Sequence, residues 1–378
     1  MCLQLRRPTI GGVSTTAFVA TRAVAPDLAR GAALLFIAIA NAHLFLFGHD
    51  VGVRGHAADP GPVDRAVALG QVLLVDGRAY PLFGVLFGYG LVRLAEQRGH
   101  AVVRTRARRL LLLGAVHAAL LFSGDVLGPY GLLGLALGGL VATAPAARLR
   151  RLAGGFLVGP ALAGAALAAP GPPDQRSWLV STGVADPVSA AVVRIVEWAV
   201  VGLVQALGLA AAVLLGGWVA RRGLLDAPGD HRPVLLRIAS VGFTVSILGA
   251  LPLATMAATV WPDPGLAARL VAGALHGVTG YAGGLAFVAV AGLVAARAQG
   301  RVARALTECG RRSLSCYVVQ SVVFVAVLAP YGGGLGDRVG LAGATGLAVG
   351  TWALLVVIAV LVGRAGRRGP LEAWLRRP

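Results

Sequence analysis

Apolar tracts of about 20 residues recur along this chain, separated by short polar clusters. The first, LARGAALLFIAIANAHLFLFG at 28–48, is followed by 77–95, 108–124, 126–145, 150–169, 196–220, 234–257, 266–296, 312–331 and 340–363. Each is close to the length that crosses a hydrocarbon core of ~30 Å. The roughly ten-residue segments of alternating polarity that build a transmembrane β-barrel are absent. The pattern predicts an all-α, polytopic integral membrane protein with about ten transmembrane helices. Residues 1–25 are expected to be a disordered cytoplasmic tail, 26–364 a single transmembrane helical domain, and 365–378 a cytoplasmic basic tail.

Two intervening stretches are more than turns. Residues 49–76 begin rich in Gly, Asp and Pro and take on a helical pattern after Pro62. Residues 170–195 contain PGPPDQRSW, and Arg194 and Glu197 stand three apart, as in a partly amphipathic helix lying at the interface. Small residues four apart at Gly84/Gly88, Gly134/Gly138, Gly155/Gly159 and Gly280/Gly284 predict close helix crossings. No internal repeat of the kind that builds inverted-repeat transporters is visible.

Composition sharpens this picture. Of 378 residues 57% are hydrophobic and 13% charged, with a mean hydropathy of +0.78. A soluble chain of this length carries about a quarter charged residues. The net charge is +18 and the isoelectric point near 11.5, yet no nucleic-acid partner is needed to explain either. There is no Lys, and the Arg residues fall in alternate loops, the signature of the positive-inside rule. Counted from a cytoplasmic N-terminus, 27 Arg lie inside and 7 outside, which places both termini in the cytoplasm. The three Cys, at 2, 309 and 316, lack metal-ligand spacing, and no disulfide or metal site is expected. The first 25 residues lack the apolar core of a signal peptide.

Polar residues inside the spans carry the functional signal, because burying them in lipid is costly. Asp27, Arg30 and Asn41 share one face of the first helix, with Asn41 about 16 Å beyond Arg30 and His43 on the far side. Asn41 is the chain's single Asn. Arg106 and His117 repeat the eleven-residue spacing, and Asp125 follows, too far along one continuous helix to bond His117 directly. Asp76 and Arg78 mark an outer boundary, while His276 and Gln320 lie within later spans. His49 and His56 are expected to be ordinary solvated loop residues. Each buried residue also admits a structural role, as an amide or imidazole bonded to a neighbouring helix.

The series PDLARGAALLFIAIAN, DGRAYPLFGVLFGYG, HAALLFSGDVLGPYGLLG, GRRSLSCYVVQS and RGPLEAWLRR resembles the YeiB-like family of bacterial multi-pass proteins, whose shared domain of unknown function 418 would occupy about 220–378. That family is similar, more distantly, to transmembrane acyltransferases. The resemblance implies acyl transfer from cytoplasmic acyl-CoA, a co-substrate rather than a bound cofactor, to a sugar or another hydroxyl or amine acceptor. The acyltransferase-3 group pairs Arg with a His after ten intervening residues, whereas this chain has Arg30 and then, at the His place, Asn41, an amide that cannot act as a base. His117 or His276 then becomes the base, Asn41 an oxyanion donor, and Arg30, Arg106 and Arg109 the phosphate ligands. A small-molecule transporter and a non-catalytic scaffold are the other classes open, with or without homo-oligomerisation.

Overall fold

The computed structural model describes residues 24–172, 174–297 and 300–377. The expected tail at 1–25 and Cys2 lie almost wholly outside them. Among the described residues the chain is helical, with isolated bridges only at Phe47–Ser177 and Val51–Ala57. The first half holds α1 (Val24–Ala42), α2 (Pro62–Leu74), α3 (Ala79–Arg98), α4 (His100–Leu120), α5 (Leu127–Thr143), α6 (Ala146–Phe156) and α7 (Val158–Ala168). The second half holds α8 (Pro187–Arg221), α9 (Arg232–Ala257), α10 (Leu266–Ala295), α11 (Arg301–Arg311), α12 (Ser313–Leu328), α13 (Leu341–Arg364) and α14 (Pro370–Leu375).

Among the described residues, seven helical stretches are long and apolar enough to cross a membrane, or eight if the pair α11 and α12, bent by 82°, counts as one. Two expected spans fall outside that set. The first ten residues of α4 include Arg104, Arg106, Arg108 and Arg109, and α5 has 17 residues. The surface fits a lipid environment. On α8 the exposed residues Val188, Val192, Ile195, Val196, Val200, Leu203 and Leu207 recur every three or four positions, forming one apolar stripe. Water would not tolerate an uncovered stripe of that length.

Several boundaries differ from expectation for local reasons. The first helix ends at Ala42, and a 3-10 turn at His43–Phe45 swings His43 off the helical register. The expected span at 150–169 is two helices that break at Leu157. Within 170–195, where an interfacial helix is expected, residues 187–195 instead begin the 35-residue α8, and Arg194 is buried. Asp186 caps this helix by accepting the Ser189 amide at 2.7 Å, a bond to the ionised form that holds its carboxyl below the usual range. The basic tail is docked as α14. Glu372 accepts from the amides of Leu314 and Ser315 at the start of α12, and Arg109 donates to the carbonyls of Leu375 and Arg377.

Close crossings rest on glycine. A Cβ on Gly88 would strike the Val213 carbonyl, and one on Gly216 the Val85 carbonyl, so α3 and α8 meet backbone to backbone. Gly280 packs in the same way on the Gly77 carbonyl, whereas Gly155 faces open space. Gly88→Val is therefore expected to cost about 1–3 kcal/mol or more by overpacking, read as a lower melting temperature in detergent, while Gly155→Val leaves it unchanged.

Candidate functional site

Two buried polar centres form at the helix ends away from the arginine-rich termini. The first is made by a chain reversal. The helical bonding of α4 ends where Leu121 and Phe122 both donate to the His117 carbonyl, and a tight turn closes with the Asp125 amide on the Phe122 carbonyl. This turn carries Asp125 back over His117, so that Oδ1 and Nδ1 stand 2.9 Å apart. The two atoms are in close contact without hydrogen-bond alignment, which a small turn of the ring would supply. The direct contact overturns the expectation from a continuous helix. Asp125 Oδ2 accepts the Gly128 amide at 2.7 Å, in the first turn of α5, where free amides favour a carboxylate. A side chain at Gly114 would collide with that oxygen, so glycine there makes the room.

The other face of the imidazole meets α12. His117 Nε2 lies 2.9 Å from Ser321 Oγ, and the Tyr317 ring centre is 5.0 Å from that of His117. His117, Asp125 and Ser321 are each no more than 2% exposed. An imidazole that carries its proton on Nδ1 faces the carboxylate with N–H and offers the Nε2 lone pair to the serine hydroxyl. That is the arrangement of an activated nucleophile with its base and orienting acid. The buried phenol oxygens of Tyr317 and Tyr130 have no partner. α8 fixes the turn: Glu197 accepts from Ser123 Oγ at 2.7 Å and Ser181 Oγ at 2.5 Å, and Arg194 donates to the Ala119 carbonyl at 3.1 Å. Phe122 stacks on Phe45, with ring centres 4.9 Å apart.

The second centre gathers residues from the 3-10 turn after α1, the loop carrying Arg54 and His56, α2, the turn before α3, α9 and α10. Arg78 is 1% exposed, yet its guanidinium is satisfied on every side. It donates to Ser246 Oγ (2.9 Å), the Ser246 carbonyl (2.6 Å), the Val72 carbonyl (2.9 Å) and the Asp76 carbonyl, and lies 3.2 Å from His276 Nδ1. The turn needs Gly77, with φ of +71°, because a Cβ there would meet His276 Nε2 at 2.7 Å. Beside it His43 Nδ1 is 2.9 Å from the Gln71 amide nitrogen, and its ring stacks on His56 with centres 4.9 Å apart. Asp76 Oδ2 is 3.7 Å from His56 Nε2 and 4.0 Å from Arg54 Nε.

The remaining expected residues lie in neither centre. Asn41 accepts from the Tyr80 hydroxyl at 3.2 Å. Arg30 pairs with Asp27 at 2.9 Å and donates to the Leu86 carbonyl, while Arg311 stands 3.9 Å from Asp27. Gln320 donates to the Leu34 carbonyl at 3.2 Å, and Arg106 is half-buried on α4. A cavity of about 240 Å³ lined by His100, Val103, Arg104 and Gly134 touches neither centre. The polar residues thus converge at two places rather than in one chamber.

Several participants went unread in the sequence. His56, expected in solvent, is 3% exposed. Arg54, Gln71, Ser246 and Tyr317 gave no signal, because each is ordinary in its local run. Ser321 had one: it follows Gln320 directly in an otherwise apolar segment, VVQSVVF.

Residues 219–378 match the family model described as "Protein of unknown function (DUF418)". A protein of Escherichia coli (strain K12), "Uncharacterized protein YeiB", is 34% identical over 135 residues, or 34% of this chain and 33% of that protein. "Uncharacterized protein YxaH" of Bacillus subtilis (strain 168) is 45% identical over 62 residues, 15% of each chain. The matched stretch thus spans a third or less of either relative. Ser246, His276 and Ser321 fall within the family region, whereas His117 and Asp125 precede it. With its helices long and apolar enough for a multi-pass membrane protein, the chain carries a DUF418 region over residues 219–378 and is similar there to YeiB-like proteins.

Proposed function

We propose that this protein is a membrane-embedded transferase that moves an acyl group through Ser321 to a hydroxyl or amine acceptor. The observation that carries this reading is His117, set between Asp125 and Ser321 at 2.9 Å on either side and shielded from water. His117 Nε2 takes the Ser321 proton as Oγ attacks the thioester carbonyl of the donor. The C–S bond breaks, and the departing thiolate recovers the proton from His117. The acceptor's hydroxyl or amine then gives a proton to His117 and attacks the acyl-serine ester; the acyl–Oγ bond breaks, and Ser321 Oγ takes that proton back from His117, which restores both side chains. Asp125 stabilises the imidazolium formed in each half-reaction. The donor in this reading is acyl-CoA. Arg104 and His100 line the 240 Å³ cavity on the same helix, 13 residues or about 20 Å before His117, where a guanidinium can pair with phosphate.

The accompanying topology crosses the bacterial plasma membrane ten times. The count is the seven long apolar stretches, the bent α11–α12 pair, α4 and α5, with both termini cytoplasmic by the arginine distribution. Transport is the second reading, favoured by the 82° break between α11 and α12, since discontinuous helices frame many transport sites. Proteoliposomes given radiolabelled acetyl-CoA and a panel of sugar acceptors separate the two. Acyl transfer that requires His117 supports the transferase. Accumulation of a labelled solute without acyl-CoA, undiminished by His117→Ala, supports transport.

A further inference from the structure

We infer that His43, His56 and Asp76 form a binding site for a divalent transition-metal ion of the zinc class, with one coordination position left open. One ring nitrogen from each histidine and one Asp76 oxygen lie within 4.8 Å of one another. All three side chains are buried. Both His56 ring nitrogens and Asp76 Oδ2 have no hydrogen-bond partner. Polar atoms buried without partners are rare and costly, and a shared cation supplies the missing partner to one His56 nitrogen and to Asp76 Oδ2 at once, with a His43 nitrogen as its third ligand. Two imidazoles and a carboxylate suit zinc, cobalt, nickel or iron and not the oxygen-seeking magnesium or calcium. Three protein ligands with a vacant fourth position characterise catalytic rather than structural zinc sites.

The geometry is near what an ion needs. Bonds of 2.0–2.2 Å in a tetrahedron place donor atoms about 3.4 Å apart, so the side chains close in by up to about 1.4 Å and the stacked rings tilt. Outer partners are in place. The Gln71 amide sits 2.9 Å from His43 Nδ1, and its oxygen has no partner. Turned to accept from Nδ1–H, that oxygen fixes the ring with the Nε2 lone pair toward the ion, as such partners do at zinc sites. Arg54 remains beside the carboxylate. The loop that delivers His56 is strained to do so: Arg54 has a left-handed φ of +56°, and a Cβ at Gly55 would press on Trp178. Such strain persists where the surroundings enforce it, commonly at functional sites. With Arg54 and Arg78 adjacent, the open position takes an anion, either hydroxide or an acidic group of a ligand. This centre is separate from His117, and the inference does not depend on acyl transfer.

The test uses the full-length protein, purified in detergent, stripped with a chelator and dialysed against Zn²⁺ or Co²⁺ alone. Elemental analysis is expected to find about one zinc per chain, and the cobalt form to absorb in the visible with the intensity of a four-coordinate nitrogen–oxygen site. His56→Ala and Asp76→Asn should each weaken Zn²⁺ binding by about 10–100-fold or more, whereas His231→Ala, in a basic loop, leaves it unchanged. Wild-type protein that takes up no zinc and gives no such cobalt spectrum overturns the site, whether or not the variants fold. Stoichiometric zinc that persists with undiminished affinity in His56→Ala also overturns it.

Discussion

His117→Ala is expected to reduce acyl transfer by about 10²–10⁴-fold while the protein still inserts and folds. The side chain touches the two groups whose proton traffic the reaction needs, and it lies in a gap that alanine leaves without a clash. Asp125→Asn should lose activity to a similar degree by a different route. The amide can present its N–H to Nδ1, which favours the imidazole tautomer that turns Nε2–H toward Ser321 and removes the base. Ser321→Ala distinguishes the chemistry further, because it removes the acyl carrier and leaves His117 and Asp125 in contact. The measurement is the rate of label transfer from acyl-CoA to acceptor, normalised to correctly folded protein by size-exclusion profile. Wild-type rates in His117→Ala would remove the centre from any catalytic role.

The second large effect is structural. Arg78→Met should destabilise the protein by about 3–5 kcal/mol, because it strips a buried guanidinium from the acceptors it serves. The carbonyls of Val72, Asp76 and Ser246 lose donors that they cannot find elsewhere in the bundle. Arg78→Lys should rescue little, since one ammonium cannot span the positions that Nε and both Nη nitrogens occupy. Thermal unfolding in detergent reads the loss directly. A melting temperature unchanged by Arg78→Met would mean that the hydrogen-bonded cage around α3, α9 and α10 contributes nothing to stability.

The architecture was legible because lipid imposes one dominant pattern. Long apolar tracts could only be helices, and the resemblance named the family whose model matches residues 219–378. What composition could not read was where those helices stop. The FSGD turn falls inside the tract expected to be helical through residue 124, which sets Asp125 eight residues, about 12 Å, along the helix from His117 rather than against it. The same limit hid the second centre. His56 belongs to a loop rich in Gly and Asp, where a solvated histidine is the ordinary outcome, and only the left-handed turn at Arg54 carries it inward. Ser321, Gln71 and Ser246 are common helix residues whose importance lies in contacts across more than a hundred positions of sequence or between adjacent elements. Arg30 and Asn41 went the other way. Their spacing was conspicuous, yet the side chains close on Asp27 and Tyr80 respectively.

The central claim is that Ser321, activated by His117, becomes acylated. Intact-protein mass spectrometry after brief incubation of the purified protein with acetyl-CoA, with no acceptor present, tests it most directly. The expected result is one added acetyl mass, mapped by fragmentation to Ser321, present in wild type and absent in both His117→Ala and Ser321→Ala. Transfer to an acceptor in full assays, with no acyl group ever found on Ser321 and with Ser321→Ala fully active, would contradict it.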